Sequence, residues 1–236
     1  MARTDPLAGL VDAAAARAED DSTLAVHLHD VVRDRVRFGF TPWFDAADDV
    51  RTWQHGVGHC NPQARLFVGL LRRAGLQARY QPVAIDARVL HGLGRFPPQL
   101  SHVFTEVHLG ERWIRLDSYI ADSPLREAAV ARLRAEDRVL GYGVHGSADG
   151  RWDGVRDAFS QIATPDLILE THAPVDALED FYASPAYRHR IGRLAIASWL
   201  RPTRLLRGPV ERRMNAAVEA VRVAGVAGFA PVLAAE

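Results

Sequence analysis

The chain has 236 residues, 48% hydrophobic and 25% charged, which is enough for one sizeable core or one domain with an appendage. Formal net charge is zero, so the whole chain shows no bias towards nucleic acid or acidic substrates. A single cysteine excludes an internal disulfide, and nothing points to an oxidising compartment.

The charge is unevenly spread. Residues 180–236 hold 9 of the 29 basic residues but only 4 of the 29 acidic ones, so the tail is basic and the body acidic. Every basic residue is Arg, which reads as base composition rather than function. The N-terminus lacks a basic start followed by an apolar stretch, so no signal peptide is expected. No run of about 18 apolar residues occurs, so no transmembrane segment is expected and the cytoplasm is the default location.

In chain order, residues 7–18 read as an Ala-rich helix. Ser22 is the expected cap of a second helix, with Leu24, Leu28, Val31, Val32 and Val36 as its apolar stripe. Phe38-Gly39-Phe40-Thr41-Pro42-Trp43 breaks that pattern. Asp48 or Asp49 should cap a short helix ending at Gly56. A further helix starts at Cys60, with Ala64, Phe67, Leu71 and Ala74 on one face and Gly75 as the stop. Ala78 to Ile85 reads as a strand, and residues 86–100 as a loop rich in Gly and Pro. Ser101 to Leu109 and Arg112 to Ser118 read as strands joined by the two-residue turn Gly110-Glu111. Residues 124–138 look helical, 141–154 like a loop, and 176–230 mostly helical with breaks at Pro185, Pro202 and Pro209.

That turn fixes a register. Leu109 opposes Arg112, so His108 faces Trp113, Glu106 faces Arg115, Phe104 faces Asp117 and His102 faces Tyr119. His102 and Asp117 then become diagonal neighbours on one face. Val103, Val107, Ile114 and Leu116 form the other face. A carboxylate there would orient the imidazole, and a thiol at a helix N-terminus gains thiolate character from the dipole. One thiol, one imidazole and one carboxylate are what a nucleophilic thiol enzyme needs, provided that the helix N-terminus packs on the His102/Asp117 face.

Other residues carry blander expectations. His55, His59 and Cys60 have poor spacing for a structural zinc site, and no metal or other cofactor is expected. His27 and His29 read as surface helix residues. Glu106 and Arg115 read as an ordinary ladder pair, and Arg79 as a brace for the sheet. Arg188, Arg190, Arg193, Arg201, Arg204, Arg207, Arg212 and Arg213 interleave with Ile196, Trp199, Leu200, Leu205 and Leu206. This reads as a helical appendage docked on the acidic body with its Arg side chains outward. A membrane surface, an acidic partner or a homodimer contact are its other uses.

Asp48-Asp49-Val50…Gly56-Val57-Gly58-His59-Cys60-Asn61-Pro62-Gln63-Ala64, followed by Leu70-Leu71-Arg72-Arg73-Ala74-Gly75, resembles the core of the transglutaminase-like superfamily. So does Ser101-His102-Val103-Phe104-Thr105-Glu106-Val107-His108-Leu109 with Trp113-Ile114-Arg115-Leu116-Asp117. The likeness covers roughly residues 22–120. It implies an α+β papain-like fold, with a nucleophile helix packed on an antiparallel sheet. It implies Cys60 as nucleophile, His102 as general base and acid, and Asp117 as orienting group. Ser118-Tyr119 departs from the family pattern, which often has Pro and a small polar residue after the Asp. For the oxyanion, the Cys60 backbone N–H, Gln54, Trp43 and Trp53 are candidate donors. The expected organisation is a helical segment 1–21, a catalytic core 22–121 and a mostly helical region 122–236 serving as cap, lid or interface.

The expected activity is thiol-dependent hydrolysis of a peptide or amide through an acyl-enzyme. The alternatives are an acyltransferase, with an amide or thioester as donor and an amine as acceptor, and a non-catalytic binding module on the same fold.

Overall fold

The computed structural model describes residues 5–188, 190–191, 194–195 and 204–228, with side chains for 5–188 and 211–224. Helix α1 (Ala8–Ala15) leads to α2 (Asp21–Arg35). Asp20, not Ser22, caps α2: its carboxylate accepts the Thr23 N–H, and the Thr23 hydroxyl side closes a reciprocal box. Ser22 instead donates its hydroxyl to Gly154 O at 2.6 Å. Strand β1 (Arg37–Phe38) pairs in parallel with β2 (Val57–Gly58), either side of α3 (Asp49–His55). Asp48 caps α3, and Gly56 ends it in the left-handed region at φ 60°, which only glycine adopts without strain.

Helix α4 (Cys60–Arg73) follows directly. Its expected stop holds, because Leu76 N–H reaches Leu71 O and Gly75 N–H reaches Arg72 O. The central sheet contains β3 (Ala78–Asp86), β4 (Gln99–Leu109), β5 (Arg112–Leu116) and, later in the chain, β8 (Ile168–Thr171). Its order is β5-β4-β3-β8, antiparallel throughout. The hairpin register is the one the turn implies: Leu109 pairs with Arg112, His108 with Trp113 and Glu106 with Arg115. Gly110 alone in the turn takes a positive φ, 60°, as the first position of a two-residue hairpin turn requires.

The returning strand ends earlier than its alternation suggests. At Leu116 the chain bridges in parallel to Ala158, and the Asp117 and Ser118 N–H groups both turn to Ala158 O. Phe104–Asp117 and His102–Tyr119 are therefore not ladder pairs. Tyr119 instead places its hydroxyl 2.8 Å from Thr105 Oγ1.

Both faces of β4 are covered, which is why nearly all its residues are buried. The body of α4 packs on the Thr105 face: Phe67 meets Tyr119 at 4.7 Å, and Arg72 lies over Tyr80, the register partner of Thr105. Strand alternation assigns His102, Phe104 and Glu106 to the other face. The body of this helix thus lies on the face opposite His102, whereas the expectation concerned its N-terminus.

Helix α5 (Ser123–Ala135) is capped by Asp122. Two short strands, β6 (Leu140–Gly141) and β7 (Val144–His145), interrupt the glycine-rich segment read as a loop. Strand β8 (Ile168–Thr171), helix α6 (Leu178–Ala183), strands β9 (Arg190–Ile191) and β10 (Leu194–Ala195), and helix α7 (Arg204–Gly228) complete the described chain. One hydrophobic core runs from Leu7 to Val221.

Helix α7 packs against α5. Arg212 and Arg213 are exposed, as expected of outward-facing charges, and exposed Arg188 pairs with Glu170. The side chains at 190, 193, 196, 199–201 and 204–207 lie outside the described residues. Arg222 points inward, pairing with buried Asp122, whose carboxylate also accepts the Phe38 N–H. Among the described residues, no helix is long and apolar enough to cross a membrane.

Candidate active site

Cys60 is the first residue of α4, preceded by His59 in extended conformation. Gln63 pins this helix end, its amide N–H groups reaching Gly58 O at 2.7 Å and Ile120 O at 3.0 Å. A Cβ at Gly58 would sit 3.1 Å from both Gln63 Cγ and Thr52 Cγ2, so any other residue there requires those side chains to give. Cys60 is half-buried, and its Sγ lies 3.5 Å from Asn61 Oδ1.

Burial pushes the thiol far above its ordinary range, and the Asp45 carboxylate adds to the rise. The Asn61 backbone N–H pulls the other way, Asp117 adds a further rise, and the Cys60 N–H opposes it. The helix end thus acts in the direction expected of its dipole, but burial and two carboxylates outweigh it. The balance favours the neutral thiol over the thiolate.

His102 and Asp117 are both fully buried, with Nε2 and Oδ2 3.2 Å apart. The pair touches without an aligned hydrogen bond: neither ring nitrogen nor Asp117 Oδ2 has a hydrogen-bond partner among the described residues. Asp117 Oδ1 is held firmly instead, accepting the Ser160 N–H and, at 3.3 Å, the Gln161 N–H. Ser160 Oγ donates to Asp117 O at 2.8 Å. Phe159 packs edge-on to Phe104, which in turn meets the His102 ring at 5.1 Å. The segment 158–161 therefore fixes the carboxylate and backs the imidazole. Sequence reading did not single it out, because it acts mostly through main-chain donors that leave no residue signature.

A second histidine–carboxylate contact lies beside the thiol. His59 Nε2 and Asn61 Nδ2 each approach Asp45 Oδ1 at 2.8 Å, and the Tyr187 hydroxyl donates to Oδ2. Phe40 stacks on His59 at 5.2 Å. No pattern in the sequence marked Asp45, since it is separated from the cysteine motif by a whole helix. His55, four residues before His59, lies against Trp43 at 4.6 Å.

The other candidate donors sit as follows. Gln54 is exposed on α3. Trp43 contacts His55 and the Arg51 guanidinium, and Trp53 lies under Arg35. Arg79 bonds Glu106 at 2.6 Å and covers the Trp113 ring at 3.9 Å, bracing β3 to β4 and β5. Glu106 and Arg115 are the ordinary ladder pair expected of them, while their side chains bind elsewhere, Glu106 to Arg79 and Arg115 to Asp157.

His29 is not a surface residue. It is fully buried among the Phe67, Tyr119 and Trp152 rings. Its Nε2 lies 2.7 Å from Ser118 Oγ and its Nδ1 2.9 Å from Asp30 Oδ1. The residue after Asp117 is thereby tied to α2, and the Ser that departs from the family pattern has a partner.

Residues 8–118 match the model of the transglutaminase-like superfamily. No curated protein matches the chain.

Proposed function

Starting from the transglutaminase-like domain that residues 8–118 form, we propose that the protein is a thiol-dependent amide or peptide hydrolase acting through Cys60, His102 and Asp117. The observation that carries this reading is the His102–Asp117 contact at 3.2 Å, fully buried, with both ring nitrogens unengaged. Buried polar groups are almost always satisfied, so an idle imidazole beside a clamped carboxylate points to a task outside the resting structure. Cys60 lies within electrostatic reach of that same carboxylate.

The chemistry follows from the resting state. With burial opposing the thiolate, His102 takes the thiol proton as Sγ attacks the substrate carbonyl. The tetrahedral oxyanion meets the backbone N–H groups at the start of α4, with Gln54, Trp43 and Trp53 as further candidates. The C–N bond then breaks, His102 returns the proton to the leaving amine, and Cys60 carries the acyl group. Water, deprotonated by His102, releases the acid and restores the thiol. Asp117 stabilises the imidazolium in both halves. An amine in place of water gives the acyltransferase, with amide or thioester donors equally served. The exposed arginines at 188, 212 and 213 are where an acidic partner or a second copy would bind, and a cytoplasmic setting suits the lone thiol.

The test uses p-nitrophenyl acetate as acyl donor, read by intact mass and by p-nitrophenol release. Acetylation of wild type at Cys60, absent in His102→Gln, is the expected result. Added glycinamide that collects the acetyl group faster than water does would select the transferase. An unacylated Cys60 in wild type would sink both enzyme readings and leave the binding module.

A further inference from the structure

Around Cys60 the polar contacts form a chain that the proposed chemistry does not use. Sγ faces Asn61 Oδ1 at 3.5 Å, and the other end of the same carboxamide, Nδ2, donates to Asp45 Oδ1 at 2.8 Å. An amide whose N–H end is claimed by a carboxylate must turn its oxygen the opposite way. Asp45 thus decides which end of Asn61 the thiol meets. That end is an acceptor, which suits S–H and opposes S⁻. Asp45 is itself almost wholly buried, held by His59 and by the Tyr187 hydroxyl from the C-terminal region. His59 Nδ1 is buried and has no hydrogen-bond partner among the described residues.

We propose that Asp45 is a positioning residue for the Cys60 nucleophile, orienting Asn61 so that its oxygen holds the thiol proton until substrate arrives. The assignment rests on the reading of Cys60 as nucleophile. Its physical content is wider, because it concerns how the thiol ionises whatever the substrate. The direct effect of the buried carboxylate acts in the same sense, raising the thiol beyond what burial alone does. Among the described residues, Asp117, Tyr119 and Tyr182 also act on Cys60 electrostatically, with His59 beside it in sequence and His102, the proposed base, against Asp117.

The experiment is the rate of iodoacetamide alkylation of the full chain against pH, read by intact mass, for wild type, Asp45→Asn, Asn61→Ala and Tyr187→Phe. Asp45→Asn keeps the shape and removes the charge. The midpoint of its profile should fall by about one pH unit, so that alkylation below the midpoint runs about tenfold faster, with an unchanged plateau. Asn61→Ala should move the midpoint the same way by less. Tyr187→Phe keeps the Asp45 charge and should leave the midpoint in place. A merely structural role would instead raise the plateau in all three by opening access to the thiol.

An unmoved midpoint in Asp45→Asn overturns the proposal, as does a rise in plateau alone. Should Asp45→Asn not fold, an unmoved midpoint in Asn61→Ala overturns it equally. The readout needs no substrate. A midpoint shift without any p-nitrophenyl acetate turnover would keep this assignment and sink the enzyme reading.

Discussion

His29 and His102 are both fully buried in this protein, and they differ in what their ring nitrogens meet. His29 is satisfied at each nitrogen, by Asp30 and by Ser118, inside a cage of three aromatic rings. His102 has a carboxylate 3.2 Å away and no hydrogen bond at either nitrogen. Burial alone does not separate a structural histidine from a working one. Unmet hydrogen-bonding capacity beside a clamped carboxylate is what singles out His102 as the candidate, because folding alone has no reason to retain it.

The largest expected effect breaks the comparison at His102. Gln in its place should lower the rate of Cys60 acylation by about 10²–10⁴, the range of a general base, while the urea midpoint stays near wild type. Stopped-flow p-nitrophenol release and a urea titration read the two quantities. A large stability loss with acylation intact would reverse the roles assigned to the two histidines.

His29→Ala should do the opposite. It removes a packed ring and leaves Ser118 without its partner, for a stability loss of about 2–4 kcal/mol. Acylation per folded molecule should fall far less than in His102→Gln. The same residue sets a pH dependence. Burial lowers the His29 pKa, with Asp30 opposing the shift only partly. The unfolded chain therefore binds this proton first. The stability contributed by the neutral ring is complete above the ordinary histidine value of about 6.5 and is lost as pH falls through the depressed folded value. Urea midpoints measured from pH 7 down to pH 5 should drop in wild type, and drop less in His29→Phe. Parallel slopes would assign the loss to other groups.

The smallest effect sharpens the other side. Ser160→Ala removes one hydrogen bond to the Asp117 carbonyl but keeps the main-chain donor to Oδ1. It should cost about 1 kcal/mol of stability and slow acylation only a few-fold. A loss as large as that of His102→Gln would mean that the hydroxyl, not the backbone, holds the carboxylate.

The elements around the site were legible to different degrees. Helix α4 announced itself through its apolar spacing and its glycine stop, and the β4–β5 register through one two-residue turn. The termination of β5 did not, since Arg112 to Ser118 alternates smoothly to its end. What stops the strand is Ala158, 42 residues beyond Leu116, offering its carbonyl to two successive N–H groups. His29 misled for a related reason. A histidine beside Asp30 on a polar helix resembles a surface residue until three rings from distant segments close over it.

By itself, the sequence determined the order of thiol, imidazole and carboxylate, the helix that begins at the thiol, and the hairpin that brings His102 near Asp117. Those features follow from periodicity, caps and turn chemistry, which act over a few residues. Only the tertiary structure decided what surrounds each group: the main-chain clamp on Asp117, the Asp45–Asn61 contact that faces Cys60, and the burial that opposes ionisation of the thiol. Main-chain donors look alike in every sequence, and desolvation depends on whichever segments pack overhead. Local pattern can thus name the candidate groups, while what favours or opposes their ionisation is a property of the assembled fold.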